Sequence, residues 1–201
     1  MRDEWIGPAA AHTLTPVVAD RGFDVTTRLD ESQARTGVLH TAHGDIQTPA
    51  FIPVGTKANV KGLLPEMLLD LGAQAVLSNA YHLYLQPGSE IVDAAGGLGS
   101  FMNWDGPTYT DSGGFQVLSM GAGFKKVLSE EFSGKRSQDE VSAARAIKES
   151  KAVVDEDGVT FKSHVDGSVH RFTAEVSMTI QHQLGADIMF AFDELTSLLH
   201  P

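Results

Sequence analysis

Two segments of the chain end in the same tripeptide, Leu-Gly-Ala, and each leads directly into a short apolar run. The first segment, residues 65–73, begins with a proline that suits the first turn of a helix and has a glycine that suits its end. The second, residues 173–186, begins with a threonine that is a good N-cap. Its apolar residues Val176, Ile180 and Leu184 recur every four positions, as in a helix with one buried face. Helices that alternate with short apolar runs indicate an α/β fold with a parallel sheet.

The candidate strands of that sheet are short apolar runs, as expected for strands buried on both faces. They cover residues 48–56, 73–81, 107–114 and 187–194. Polar side chains stand near the ends of the last three runs, at Asn79, Asp111 and Asp193. Ligands bind at the carboxyl ends of strands in barrels and in open α/β sheets, so we expect these three residues to share one site. Each of them alone is more typical of a turn or a helix cap.

The sequence PTYTDSGGFQVL, residues 107–118, ends a β-rich run on a carboxylate and continues with two glycines and an aromatic ring. One interpretation is a simple turn, because Asp, Ser and Gly are common turn residues. The other is that Asp111 reacts with a ligand, and that Gly113 and Gly114 let this ligand approach the backbone. The pattern of this stretch alone leaves both interpretations open.

The N-terminal part of the chain differs from the rest. Residues 1–22 have no hydrophobic periodicity and are interpreted as an extension. Residues 23–48 are rich in β-branched residues, with Gly37 and Gly44 as punctuation, and predict a small antiparallel sheet. We therefore expect one domain, residues 23–201, preceded by a short extension.

The region before the second helix is charged and poor in large apolar residues. Residues 121–160 are predicted to be a surface insertion in the domain, and residues 159–175 to form a hairpin. Asp166 and Gly167 form a strong turn signal at the centre of that hairpin, so Asp166 is interpreted as structural. The histidines of the chain show no metal-ligand spacing.

The composition excludes several classes of protein. Zero cysteines exclude disulfides, thiol catalysis and cysteine-ligated metals within this chain, and agree with a cytoplasmic location. No apolar run approaches the roughly 18 residues of a membrane helix, so no membrane partner is expected. The net charge of −11 argues by itself against a nucleic-acid partner, because such proteins usually carry a basic surface.

Four longer motifs nevertheless carry a specific resemblance. They are TPAFIPVGTKANVKGLLPEML at 48–68, LSNAYHLYLQPG at 77–88, WDGPTYTDSGGFQVLSMG at 104–121 and QHQLGADIMFAFDE at 181–194. In this order they resemble the bacterial tRNA-guanine transglycosylases, the queuine tRNA-ribosyltransferases, over about residues 23–194.

The resemblance implies both a fold and a reaction. The fold is the N-terminal part of an irregular (β/α)8 TIM barrel, preceded by a small antiparallel sheet and incomplete in this chain. The reaction replaces guanine at the wobble position of a tRNA anticodon loop with a 7-deazaguanine, a precursor of queuosine. It proceeds by double displacement through a covalent ribosyl-enzyme, with the logic of a retaining glycosidase. The resemblance also implies a homodimer when the protein is full length.

The resemblance further implies roles for particular residues. Asp111 is the general acid/base, and Asn79 hydrogen-bonds its carboxylate. Phe115 is the ring on which the base stacks. Asp193 accepts hydrogen bonds from the N–H edge of the purine, which favours a guanine-like base over adenine. The turn of the base pocket is formed by Ser112, Gly113 and Gly114.

The chain departs from the family pattern in ways that matter for function. Leu195 stands where most bacterial members have a cysteine that contacts the base. The resemblance places the nucleophilic aspartate and the zinc ligands of the family beyond Pro201, so this chain is expected to bind no cofactor of its own. We therefore interpret the sequence as a fragment of a longer enzyme, because four strands cannot close an eight-stranded barrel.

Two other functions remain open from the sequence. The first is a glycoside or nucleoside hydrolase on a similar barrel, with Asp111 and Asp193 as its carboxylate pair. The second is a non-catalytic half-barrel that serves as a partner subunit.

Overall fold

The computed structural model describes residues 22–121 and 152–193 of the chain. The first sheet is antiparallel, and its strands pair in the order β1–β2–β3. Its strands are β1 (Phe23–Arg28), β2 (Arg35–Thr41) and β3 (Gly44–Thr48). The predicted N-terminal antiparallel sheet is thus confirmed. Gly37 was expected to separate two strands, but it lies inside β2. An added Cβ at this position would lie 2.4 Å from the ring of Phe23.

The second sheet is parallel and contains the predicted apolar runs. Its strands are β4 (Val76–Ser78), β5 (Thr108–Thr110) and β9 (Ile188–Met189), paired in that order. Val54 forms a parallel bridge to Leu77, so the first apolar run lies on the other side of β4. The four runs therefore lie side by side in chain order, and the predicted parallel pairing is confirmed. Among the described residues they form an open sheet and not a closed barrel.

Helices connect and cover the strands. They are α1 (Pro65–Asp70), α2 (Ala80–Leu85), α3 (Ser89–Ala94), α4 (Gly97–Met102), α5 (Gly114–Gly121) and α6 (Ala174–Leu184). The two helices predicted from the Leu-Gly-Ala repeat are α1 and α6, and both are confirmed. Thr173 caps α6 by accepting a hydrogen bond from the backbone N–H of Val176, and Gly185 ends it in the left-handed conformation. Within residues 22–121 and 152–193, we find no helix that could serve as a membrane span.

The third sheet is antiparallel and lies before α6. Its strands are β6 (Ala152–Asp155), β7 (Gly158–Lys162) and β8 (Val169–Phe172), in the order β6–β7–β8. The predicted hairpin with Asp166 and Gly167 in its turn is confirmed by the pairing of β7 with β8. Most of the stretch 121–160 lies outside the described residues, but its last part, residues 152–160, belongs to this sheet.

One apolar core joins the third sheet to the helices. Phe161 and Phe172 of this sheet pack with Tyr81 of α2, and all three are nearly inaccessible to solvent. Leu184 of α6 belongs to the same cluster. The hairpin is therefore fixed to α2, the helix that begins immediately after Asn79. The architecture as a whole is mixed α/β, and the parallel sheet and the third sheet share this core.

Candidate active site at the carboxyl edge of the parallel sheet

Parallel pairing brings the first two predicted polar residues together. Ser78 of β4 is in register with Thr110 of β5, so the next residues along the chain, Asn79 and Asp111, leave the sheet side by side. Asn79 is 8% exposed and Asp111 is partly exposed at this edge. The carboxyl ends of neighbouring strands thus place an amide beside a carboxylate, as the sequence predicted.

The carboxylate of Asp111 accepts three hydrogen bonds. Asn79 Nδ2 donates to Oδ2 at 2.5 Å, and the backbone N–H of Ala80, the first residue of α2, donates to Oδ1 at 2.8 Å. Gln116 Nε2 donates to Oδ2 at 2.8 Å. Sequence reasoning missed Gln116, although a polar residue in the first turn of the helix that follows Asp111 was an available signal. These donors orient the carboxylate from two places, the start of α2 and the first turn of α5.

Asp193 reaches the same edge from the other side of β5. The chain leaves β9 at Met189, and Asp193 Oδ1 then accepts a hydrogen bond from the hydroxyl of Ser112 at 2.5 Å. The same hydroxyl accepts a hydrogen bond from the backbone N–H of Gly114 at 3.2 Å. Ser112 therefore connects the turn after Asp111 to the second carboxylate.

A hollow of about 330 Å³ lies between these groups. Phe115 is 49% exposed and forms part of its wall. Asp111, Asp193 and Phe115 thus border one hollow, whereas Asn79 does not line it. Its lining residues are Asp111, Ser112, Phe115, Gln116, Phe190, Ala191 and Asp193.

The two glycines of the turn make close contacts with the protein itself. Gly113 has a φ of +79°, and an added Cβ would lie 3.1 Å from the ring of Phe172. A Cβ on Gly114 would lie 2.9 Å from the backbone carbonyl oxygen of Asp193. Neither glycine is among the described residues that line the hollow. Their small size allows the turn to pack against β8 and against the segment that carries Asp193.

A histidine that the sequence reasoning did not single out lies beside the site. Nδ1 of His82, in α2, is buried and has no hydrogen-bond partner among the described residues. Burial lowers the pKa of His82, the neighbouring His164 and Lys57 lower it further, and the carboxylate of Asp111 opposes them. The rings of His82 and His164 are 5.8 Å apart between centroids. The surroundings of His82 therefore favour the neutral form of its ring.

The described residues do not provide a site that fits the zinc ion implied by the resemblance. Within residues 22–121 and 152–193, no group of three or more His, Cys, Asp or Glu side chains could hold a metal ion. The chemistry of the site as described is that of carboxylates, amides, a hydroxyl and an aromatic ring.

Fold and site together define a class of protein: an α/β protein with two carboxylates and an aromatic ring around one hollow at the carboxyl edge of a parallel sheet. Comparison with known proteins narrows this class. The model of the queuine tRNA-ribosyltransferase family matches residues 30–200. The chain therefore belongs to the queuine tRNA-ribosyltransferase family, as the motifs predicted.

Individual relatives agree with this assignment. A queuine tRNA-ribosyltransferase of Roseiflexus sp. (strain RS-1) is 48% identical over 173 residues, which are 86% of this chain and 41% of the relative. The protein of the same name from Pelotomaculum thermopropionicum is 45% identical over 86% of this chain and 39% of its own length. That of Ruegeria sp. (strain TM1040) is 46% identical over 88% of this chain and 39% of its own length. The chain thus spans about two fifths of the length of the curated relatives it matches.

Proposed function

We propose that this chain supplies the acid/base group and the base-recognition side of a tRNA-guanine transglycosylase site. The protein would be a pentosyltransferase that replaces guanine at the wobble position of a tRNA with a 7-deazaguanine. The observation that carries the proposal is the shared hollow, which Asp111 and Asp193 border together with the ring of Phe115. Family membership and the names of the relatives support the same reaction.

The proposed reaction has two displacements at C1′ of the ribose. The nucleophile would be a carboxylate from a part of the protein outside the described residues. It attacks C1′ and the bond to guanine breaks, which leaves a covalent ribosyl-enzyme. The incoming base then attacks C1′ and displaces the carboxylate, as in retaining glycosidases. Asp111 takes the proton that the incoming base loses and, by microscopic reversibility, gives a proton to the guanine that leaves.

The hydrogen bonds of Asp111 suit this role. A carboxylate has about four lone-pair positions, and the donors from Asn79, Ala80 and Gln116 use three of them. A position remains on Oδ1 for the proton of a base in the hollow. Because the donors fix the carboxylate before the base arrives, little reorganisation accompanies proton transfer.

Asp193 and Phe115 are proposed to select the base. A carboxylate only accepts hydrogen bonds, so Asp193 would bind the N–H edge of guanine or a 7-deazaguanine and would reject adenine at that position. Phe115 would stack on the flat ring, which in nucleic-acid sites contributes about 1–3 kcal/mol. The hydroxyl of Ser112 holds Asp193 toward the hollow.

The wider setting is also part of the proposal. The open parallel sheet would be the first part of the (β/α)8 barrel of the family, in a cytoplasmic homodimer that carries zinc elsewhere in its length. The wobble base lies in a single-stranded anticodon loop, where turning it into a pocket costs little stacking energy. With a net charge of −11, this chain would leave most phosphate contacts to other parts of the protein.

The decisive test replaces Asp111 with asparagine in the protein expressed from its own gene. The measurement is the incorporation of labelled guanine into tRNA that carries guanine at the wobble position. We expect Asp111→Asn to reduce exchange by about 100- to 10,000-fold, because asparagine keeps the shape but cannot accept the proton.

The exposed Asp105, in the loop before β5, provides a matched control, and Asp105→Asn is expected to keep exchange within about twofold of the original protein. Full exchange in Asp111→Asn would show that Asp111 is only a turn residue. Release of guanine without any incorporation would favour the nucleoside hydrolase instead.

A further inference from the structure

A glutamine of α6 lies directly beneath the candidate active site. Gln181 is inaccessible to solvent, and its side-chain oxygen accepts a hydrogen bond from the hydroxyl of Thr110 at 2.9 Å. Its Nε2 donates to the backbone carbonyl of Phe190 at 2.9 Å and to the hydroxyl of Ser177 at 3.2 Å. One side chain thus contacts β5, the segment after β9 and its own helix.

The partners of Gln181 adjoin the two proposed functional carboxylates in the chain. Thr110 directly precedes Asp111, and Phe190 lies three residues before Asp193. The hydroxyl of Ser177 donates in turn to the carbonyl of Ser112, the residue whose own hydroxyl holds Asp193. Gln181 therefore connects the backbone on both sides of Asp111 with the segment that carries Asp193.

The direction of every hydrogen bond in this network is determined. The carbonyl of Phe190 can only accept, so the amide NH₂ of Gln181 must face it. The amide oxygen then faces Thr110, whose hydroxyl has to donate. Because Ser177 accepts from Gln181, its proton is available for the carbonyl of Ser112. A network with one arrangement fixes the groups that it joins, and a partner left without its bond in a buried site is costly.

We propose that Gln181 is a positioning residue for base exchange, which sets the separation of Asp111 and Asp193 across the hollow. This inference rests on the proposed function. Gln181 does not line the hollow among the described residues, so it would act through Thr110 and Phe190 and not on the base. A buried glutamine that only stabilised the fold would change the fraction of folded protein but not the kinetic constants of the folded enzyme.

The test compares two glutamine-to-methionine variants of the same helix in the protein expressed from its own gene. Gln181→Met removes the network while keeping a long side chain. Gln183→Met removes the bond that Ser89 donates to Gln183 at 2.6 Å, two residues further along α6 and outside the network. Exchange is measured well below the melting temperature of both variants, so that both are folded.

We expect Gln181→Met to lower kcat/KM for guanine exchange by about 10- to 100-fold, since small misplacements of catalytic groups have effects of this size. The loss should include a higher KM for guanine, because Asp193 shifts, and a lower kcat, because Asp111 shifts. Gln183→Met should keep both constants within about twofold, as for other substitutions away from a site.

A second variant covers the case in which Gln181→Met does not fold. In Gln181→Glu, a protonated carboxyl group can donate to Phe190 and accept from Thr110, whereas the ionised group cannot donate. Burial favours the protonated form, so the activity of Gln181→Glu relative to the original protein should rise as the pH falls from 8 to 6. A purely structural residue would not give this pH profile.

The outcomes separate the two proposals. If the original protein exchanges guanine while Gln181→Met matches Gln183→Met, or Gln181→Glu shows no relative gain at low pH, the positioning role is wrong and the proposed function stands. If the original protein neither binds nor incorporates guanine, the proposed function fails, and the positioning role fails with it.

Discussion

Asp111 and Asp166 show how the same residue type acquires two different sets of hydrogen-bond partners. Both follow β-rich runs and precede glycine-containing turns. Asp166 accepts its hydrogen bonds locally, and the hydroxyl of Ser168, followed by that of Ser163, lowers its pKa to about 2. Asp111 instead accepts two of its bonds from Asn79 and Ala80, which lie more than thirty residues earlier in the chain. Long-range donors distinguish a positioned carboxylate from a turn residue.

Asp193 gives a prediction on base selection. In Asp193→Asn an amide with both donor and acceptor replaces a group that only accepts hydrogen bonds. We expect the affinity for guanine to fall about 10-fold or more, because a charge-assisted hydrogen bond is lost. The discrimination between guanine and adenine should narrow at the same time. Competition binding with the two bases measures both effects.

Ser112 provides the internal comparison for this prediction. Ser112→Ala removes only the hydroxyl that holds Asp193 and keeps the carboxylate itself, so it should weaken guanine binding less than Asp193→Asn and leave the preference over adenine intact. An Asp193→Asn protein that keeps the original affinity and selectivity would exclude a role of this carboxylate in recognition.

At the scale of elements, α6 carries both the local signals and the long-range network. Its ends follow from local chemistry, with Thr173 as the N-cap and Gly185 in the left-handed conformation at the C-terminus. Its inner face bears Ser177 and Gln181, which are polar, fully buried and bonded to β5 and to the segments that follow β5 and β9. The positions of the two caps therefore determine where the buried polar side chains of α6 enter the core.

Loss of the N-cap should be measurable in the stability of the protein. Thr173→Ala removes the hydroxyl that accepts from the backbone N–H of Val176 and should lower the free energy of unfolding by about 1 kcal/mol. Thr179→Ala, at an exposed position in the same helix, is the matched control and should be neutral or slightly stabilising, because alanine is the better helix former. Chemical denaturation gives both values, and equal effects at the two positions would contradict the capping role.

At the scale of the whole molecule, two histidines make the stability depend on pH in opposite directions. Both ring nitrogens of His40 face carboxylates, so the hydrogen bonds that the protonated ring donates to Asp45 and then to Asp24 raise its pKa above 6.5. Burial lowers the pKa of His82 below 6.5. The first histidine binds its proton more tightly in the folded state, and the second binds it less tightly.

Because the two pKa shifts have opposite directions, each histidine affects the stability in a different pH range, one above and one below 6.5. The contribution of His40 is fully present below its unfolded pKa and is lost as the pH rises through the higher folded value. His82 destabilises the fold as the pH falls from its unfolded pKa toward the lower folded value, because the unfolded chain takes up the proton first. Unfolding measured from pH 5 to 8 should therefore show stability decreasing on both sides.

Two single variants test which histidine causes the decrease in stability on each side of pH 6.5. His40→Gln should remove its part of the decrease above pH 6.5 and leave the acid side unchanged, and His82→Gln should do the reverse. NMR titration of the two imidazoles gives the folded-state values directly. A His40 that titrates below the usual value, or a His82 above it, would contradict the assigned causes.

Much of the fold could be predicted from local patterns. The Leu-Gly-Ala repeat located α1 and α6, and the Asp166–Gly167 signal located the β7–β8 hairpin, because caps and turns depend on neighbours in the chain. Gly37 was misplaced as a break between strands. A side chain at position 37 would collide with the ring of Phe23 on the neighbouring strand. This contact between strands cannot be predicted from the local sequence.

The order of the elements, the family and the residue types of the site could be predicted, because these depend on periodicity, capping chemistry and motifs. The folded chain was needed to show which donors hold Asp111, why Gly113 and Gly114 are small, and that the buried Gln181 bridges both carboxylate-bearing segments. Those contacts join residues far apart in the chain. Their distances and directions follow from the register of parallel strands and the packing of α6 beneath them, which no local pattern encodes.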